Sequence, residues 1–149
     1  MRAVIQRVSQ ANVIVDENIK GKIKKGFLVL LGVEEDDDEK DVIYMAEKII
    51  NLRVFEDENE KMNLSLLDIK GEMLVVSQFT LLGDCRKGRR PNFMNAAHPE
   101  KANELYIKFI KKCREFKLNI QTGVFQAHMQ VNLCNDGPVT MLVDSKKNF

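Results

Sequence analysis

The sequence predicts one mixed α/β domain spanning residues 1–149, with many strands and two main helices. Short runs of Val, Ile, Leu and Phe recur from end to end, as strands require. Two longer segments instead space their apolar residues three and four apart, as helices require. A chain of 149 residues is one domain by default and buries roughly 68–70% of the surface its unfolded form exposes, enough for an ordinary core.

Taken in order, residues 3–15 form a long strand rich in Val and Ile, with a bulge expected near Ser9-Gln10-Ala11. A turn at Asp16-Glu17-Asn18 leads into a short exposed strand, Ile19-Lys20-Gly21-Lys22-Ile23. Phe27-Leu28-Val29-Leu30-Leu31 is apolar throughout, the pattern of a strand buried on both faces. Six acidic residues follow at positions 34–39. They offer either a metal site or a helix start, and a helix start is expected, because acidic side chains favour the positive end of the helix dipole and Val42, Ile43, Ala46, Ile49 and Ile50 come next at helical spacing. Strand character resumes at Leu52-Arg53-Val54-Phe55 and, after the polar turn Asp57-Glu58-Asn59-Glu60, near Leu64 and Leu66. Met73-Leu74-Val75-Val76 is a buried strand that delivers Ser77, Gln78, Phe79 and Thr80 at its end. Pro99 opens the second helix, whose apolar face comprises Ala102, Leu105, Phe109, Cys113 and Phe116. Strands return from Ile120 onward.

The stretch Asn135-Asp136-Gly137-Pro138-Val139-Thr140 lies between two strand-like runs, Met129-Gln130-Val131-Asn132-Leu133-Cys134 and Val139-Thr140-Met141-Leu142-Val143. By residue type it is a hairpin with a tight turn. Pro138 donates no hydrogen bond and sits poorly in a ladder, and an X–Pro bond is cis in roughly 5–6% of folded cases. Gly137 permits positive φ and leaves its backbone uncovered. The other reading is an exposed, rigid piece of main chain aimed at a ligand.

Ser77-Gln78-Phe79-Thr80-Leu81 together with Asn135-Asp136-Gly137-Pro138-Val139-Thr140 resembles the D-aminoacyl-tRNA deacylases. Ala3-Val4-Ile5-Gln6-Arg7-Val8, Leu30-Leu31-Gly32-Val33, Lys61-Met62-Asn63-Leu64, Gln121-Thr122-Gly123 and Met129-Gln130-Val131 are similar to the same family, so the resemblance runs along nearly the whole chain. It implies a curved, barrel-like β-sheet and a symmetric homodimer. It implies hydrolysis of the ester joining a D-amino acid to the terminal ribose of tRNA, and removal of glycine mischarged on alanine tRNA. Ser77, Gln78, Phe79 and Thr80 become the catalytic set. Phe125, Met129 and Asn135 become substrate contacts. The 3′ terminal adenine needs a pocket that aromatic and small residues can line, for which Phe125 and Phe79 are the candidates, with Ala96 or Ala97 completing it. Gly137 and Pro138 become a Gly–cis-Pro pair that rejects L-amino acids in the partner's site. The family is thought to enlist the 2′-hydroxyl of the substrate ribose, and it implies no metal and no organic cofactor.

Partner classes follow from charge. The net charge is +1, but residues 1–60 hold 9 basic and 14 acidic residues, a balance of −5, whereas residues 61–149 hold 14 and 8, a balance of +6. Within the basic part, Arg86, Lys87, Arg89 and Arg90 occupy a glycine-punctuated loop just after the Ser77 motif, which is either a solvated loop or a clamp for tRNA phosphates at the acceptor end. The basic residues of the second helix, Lys108, Lys111, Lys112 and Arg114, form either a solvated face or a further tRNA contact. No DNA partner is expected. No apolar run approaches the roughly 20 residues of a bilayer span, and Met1-Arg2-Ala3-Val4-Ile5 lacks signal-peptide character, so a cytoplasmic address without a membrane partner is expected.

Conventional chemistry is poorly represented. There is no G-x-S-x-G elbow, P-loop or dinucleotide fingerprint. Of two histidines, His98 precedes a proline at a helix entrance, where it can cap, and His128 starts a strand. Cys85, Cys113 and Cys134 are odd in number and lack zinc spacing. Two other functions stay open, a non-catalytic RNA-binding module and a small acyl-ester hydrolase with Thr80 or Cys85 as nucleophile.

Overall fold

The computed structural model describes residues 1–149. Its strands are β1 (Arg2–Val15), β2 (Asn18–Ile23), β3 (Gly26–Gly32), β4 (Phe55–Glu56), β5 (Met62–Leu64), β6 (Glu72–Ser77), β7 (Asn119–Thr122) and β8 (Gln130–Asp144). Its helices are α1 (Glu39–Ile50) and α2 (Pro99–Arg114). The main sheet runs β2-β1-β3-β6-β7, with β8 also paired to β1. The first strand organises it. Its N-terminal half pairs with β3, its C-terminal half with β2, and its other edge with β8 almost from end to end. The β3–β6 and β6–β7 pairs are parallel, so the connections between them must cross over, and they carry α1 and α2.

The sheet curls until β2 and β7, its two extremes, nearly meet. A methyl group on Gly21 of β2 would lie 2.8 Å from the Thr122 carbonyl oxygen of β7, so only glycine fits there. The interior of this barrel-like sheet is a small core of Val8, Ala11, Val13, Ile23, Leu28, Leu74 and Val76. Alternate residues of the same strands, including Ile5, Phe27, Val29, Met73 and Val75, join the larger core with both helices.

The acidic run divides between a helix cap and a buried ion network. The Asp38 side chain accepts from the Asp41 amide while the Asp41 side chain accepts from the Asp38 amide, the two halves of a capping box for α1, and Asp38 also accepts from the Lys40 amide. Asp37 takes the Met1 α-ammonium at 2.5 Å and Arg2 pairs with Glu34 at 2.8 Å. Carboxylates of Glu34, Asp36 and Asp37 do converge within 4.8 Å, but two of them already face cations.

The expected hairpin at Asn135-Asp136-Gly137-Pro138 is absent. The chain does not turn back; β8 runs straight through as one strand because β1 is long enough to pair with both of its parts. Asn135 pairs with Val8 and Thr140 with Gln6, so the four residues between them face the single residue Arg7 and bulge out of the ladder. The β1 bulge expected near residues 9–11 corresponds to register shifts between Gln6 and Gln10. The short pair β4–β5 replaces the strands expected at 52–55 and near Leu64 and Leu66.

Candidate active site

The C-terminal ends of β3, β6 and β7 point the same way and open into a cavity of about 930 Å³. Strand β3 contributes Leu31, β6 contributes Ser77 followed by Gln78 and Phe79, and the segment after β7 contributes Phe125 and Met129. The remaining wall comes from residues 93–99 and from Ala102 and Tyr106 of α2. Such a crevice at the carboxyl ends of parallel strands is where α/β sheets bind ligands.

Ser77 and Gln78 are held by the sheet. The Gln78 amide donates to the Leu31 carbonyl at 2.8 Å, and the chain then coils into a short 3-10 turn, Phe79–Leu82. The Gln78 side-chain amide donates to Thr80 Oγ1 at 2.5 Å. Thr80 is exposed and is not among the residues that line the cavity, nor is Cys85. The Thr80 oxygen thus acts as an acceptor that orients Gln78. Phe79 is 58% exposed and meets Phe93 edge-on, with centroids 5.1 Å apart. Across the cavity Phe125 packs against Tyr106 at 6.0 Å. The Tyr106 hydroxyl is buried and donates to the Val75 carbonyl at 2.8 Å, and burial pushes its pKa above the ordinary phenol value.

Residues 93–99 are clasped to the end of β3. Ala97 donates to the Val33 carbonyl at 2.9 Å and Glu35 to the Asn95 carbonyl at 3.0 Å. His98 occupies the N-cap position of α2, but its side chain makes no capping bond; the Glu35 carboxylate instead accepts from the His98 amide at 3.0 Å, and Lys101 donates to the Glu35 carbonyl. His98 and His128 both line the cavity.

The bulge of β8 is built differently. The Asn135 side chain accepts from the Val139 amide at 3.1 Å and donates to Thr140 Oγ1 at 2.8 Å, pinning both ends of the loop. Beneath it lies the Arg7 guanidinium, only 5% exposed, donating to the carbonyls of Asp136 at 3.0 Å and Val54 at 2.7 Å. The Gly137–Pro138 peptide is cis, and Gly137 has φ +132°, a region that favours glycine. Neither Gly137 nor Pro138 nor Asn135 lines the cavity of its own chain.

The basic loop is closed by reciprocal bonds between Asp84 and Asn92 at 2.8 and 3.0 Å. Arg86 folds back onto the Asp84 carboxylate at 2.7 and 2.8 Å, and these bonds hold that carboxyl well below the usual carboxylate range. Lys87, Arg89 and Arg90 stand exposed at the tip. On α2, Lys108 is matched by Glu104 at 3.0 Å and Lys112 by Glu115 at 2.8 Å, so much of that helix's basic face is already balanced. Cys113 is core, its thiol pushed up to about 12 by burial.

Of the residues singled out from the sequence, the cavity gathers Ser77, Gln78, Phe79, Phe125 and Met129, with Ala96 and Ala97 in its wall. Sequence reasoning missed Phe93, Met94, Glu35 and Tyr106. The last carried a weak signal, a polar-tipped aromatic four residues after Ala102 on an apolar helix face.

The D-Tyr-tRNA(Tyr) deacylase family model matches residues 4–144. D-aminoacyl-tRNA deacylases of Clostridioides difficile (strain 630) and Thermosipho africanus (strain TCF52B) are 66% and 62% identical to this chain, each over the full length of both proteins. Among solved structures, the c-Myc DNA Unwinding Element Binding Protein is 42% identical with a TM-score of 0.91, covering 97% of this chain and 98% of that one. A probable eukaryotic D-amino acid tRNA deacylase shares the fold at 17% identity, TM-score 0.81, covering 95% of this chain and 97% of its own. A match that begins in the first strand and ends with the last leaves no element of the fold outside it, and the chain belongs to the D-Tyr-tRNA(Tyr) deacylase family.

Proposed function

We propose that this protein hydrolyses the ester of D-aminoacyl-tRNA, releasing the free D-amino acid and tRNA. The observation that carries the reading is the cavity at the ends of β3, β6 and β7, which presents Ser77 and Gln78 beside aromatic walls but leaves Thr80 and Cys85 outside. Unactivated hydroxyls are weak nucleophiles, and Thr80 already accepts a bond from Gln78. An aminoacyl ester is itself activated. The protein's part is to orient it and to stabilise the oxyanion with donors such as the Gln78 side-chain amide, whose second N–H is not used by Thr80, while the neighbouring 2′-hydroxyl of the terminal ribose assists water. The terminal adenosine is held against Phe125 and Met129 by stacking and apolar contact. Lys87, Arg89 and Arg90 reach acceptor-end phosphates, and no metal or organic cofactor takes part.

Rejection of L-amino acids falls to the main chain of Gly137 and Pro138. A soft pocket discriminates by only about 1–3 kcal/mol. Backbone held from below by Arg7 cannot move aside for an L side chain. The loop acts on the cavity of a second copy in a homodimer, a reading supported by its not lining its own cavity. An L side chain is excluded by this device, but glycine has none, so glycine mischarged on alanine tRNA is also removed.

The test is release of tyrosine from D-Tyr-tRNA and L-Tyr-tRNA by purified protein, with a third substrate ending in 2′-deoxyadenosine. Fast release from the D-ester, very slow release from the L-ester and near-loss of turnover on the deoxy substrate are expected. Equal rates on both enantiomers would reject the selection device, and undiminished turnover of the deoxy substrate would reject the hydroxyl's role.

A further inference from the structure

We propose that Tyr106 is a positioning residue for this reaction, setting the distance between the part of the cavity that binds the substrate and the part that reacts. The inference rests on the cavity being the active site. Three pieces of chain meet at one carbonyl. The Val75 oxygen accepts from the Tyr106 hydroxyl at 2.8 Å and from the Gly123 amide at 3.0 Å. Val75 lies two residues before Ser77 on β6, the strand that ends in Ser77 and Gln78. Gly123 begins the segment that carries Phe125 and Met129. Tyr106 belongs to α2, and its ring packs against Phe125 at 6.0 Å. One side chain therefore grips the strand end that presents the reacting groups and buttresses the aromatic wall that holds the ligand.

The hydroxyl is an appropriate group for this task. Tyr106 is 4% exposed, and burial keeps the phenol protonated, so it remains a donor wherever the protein is folded and active. Its proton is committed to the Val75 oxygen. Its part in the reaction is geometric, and a displacement of about 1 Å between bound substrate and reacting groups costs up to about 100-fold in rate.

The experiment compares Tyr106→Phe, which removes one oxygen and keeps the ring, with Ile49→Val, a mild core truncation on α1 away from the cavity. Turnover of D-Tyr-tRNA is measured on fully folded protein well below either melting temperature. For Tyr106→Phe, kcat falls about tenfold with KM within about twofold of wild type, because the adenosine still binds but its ester is misplaced. Ile49→Val lowers the melting temperature by a few degrees with kcat and KM unchanged. The Gly123 amide resonance shifts in Tyr106→Phe alone, since it becomes the sole donor to the shared oxygen. The pH profile of kcat keeps its shape. Wild-type kcat in Tyr106→Phe, or loss of a limb of its pH profile, overturns the positioning role, the latter because it would mean proton transfer. Gln78→Ala separates the two levels. If it retains full activity, the cavity is not the site and the proposal falls with that reading. If it is impaired while Tyr106→Phe matches wild type, only the proposal falls.

Discussion

Replacing Arg7 with lysine tests whether a stiff loop, and not merely a present one, decides handedness. The guanidinium is 5% exposed and spans two carbonyls at once, Asp136 at 3.0 Å and Val54 at 2.7 Å. A lysine ammonium is a single point on a flexible stem and cannot hold both. One carbonyl then loses its donor, at a cost of about 1–3 kcal/mol. The ion pair to Glu56 adds little to this, because it is long at 3.6 Å and the glutamate side chain is 55% exposed. In a domain of this size the melting temperature should fall by roughly 3–10 °C. If the lost restraint is the one that keeps Gly137 and Pro138 in place against an L side chain, the D-over-L ratio of kcat/KM falls roughly 5- to 160-fold. The assay is paired initial rates on D-Tyr-tRNA and L-Tyr-tRNA at 25 °C, with the melting curve recorded alongside. A lower melting temperature with an unchanged ratio would refute the reasoning, since the clamp would then support the fold without supporting selection.

Gln78→Ala should lower kcat on the order of 100-fold through loss of an oxyanion donor, whereas Thr80→Ala should stay within about fivefold of wild type; a trapped acyl group on Thr80 would reverse that assignment. Neutralising Lys87, Arg89 and Arg90 together should weaken tRNA binding and flatten its salt dependence by about 0.7 in the log–log slope for each phosphate left without its cation, while Arg86→Ala should change the slope less because Arg86 is already paired with Asp84; equal effects would place Arg86 on the RNA. Burial raises the Asp41 pKa, but bonds from Ser145, the Asp38 amide and Lys146 outweigh it and bring it from 3.8 to about 2. The folded value lies below the unfolded one, so this group's stabilisation, about 2 kcal/mol, is present above roughly pH 4 and lost as the pH falls toward 2. Acid-unfolding curves should therefore be shallower for Asp41→Asn than for wild type between those values, and superimposable slopes would count against it.

Much of the fold was legible because it depends on local pattern. Continuous apolar runs marked β3 and β6, and helical spacing with Pro99 or an acidic entry marked α2 and α1. The loop at Asn135–Val139 was misread in direction because turn chemistry reports only local preference. Asn, Asp, Gly and Pro favour leaving a strand, but whether the chain reverses or merely bulges depends on the partner strand, and β1 pairs on both sides of the loop. The cavity divides the same way. Ser77, Gln78 and Phe79 are contiguous at a strand end and could be found together. Phe93, Met94 and Tyr106 reach the cavity only through the clasp between residues 93–99 and the end of β3, and through the crossover that lays α2 beside β6. No spacing in the sequence encodes that meeting.

The distribution of restraint across the molecule also bears on how the reaction is divided. Ser77 and Gln78 hang from parallel strand ends in the middle of the sheet, where Gln78 is bonded to β3 and Tyr106 holds β6 to α2. The loop around Gly137 and Pro138 hangs from β8, whose only strand partner is β1, and is secured by Arg7 from beneath and Asn135 from within. Under the proposed function the two sets of groups share only β1 within one copy, have their own local restraints, and meet at a site between copies. Weakening one support should therefore change one kinetic quantity, with Tyr106 governing turnover of the correct enantiomer and Arg7 governing tolerance of the wrong one. A variant at either position that moved both in proportion would mean that catalysis and selection share a single scaffold after all.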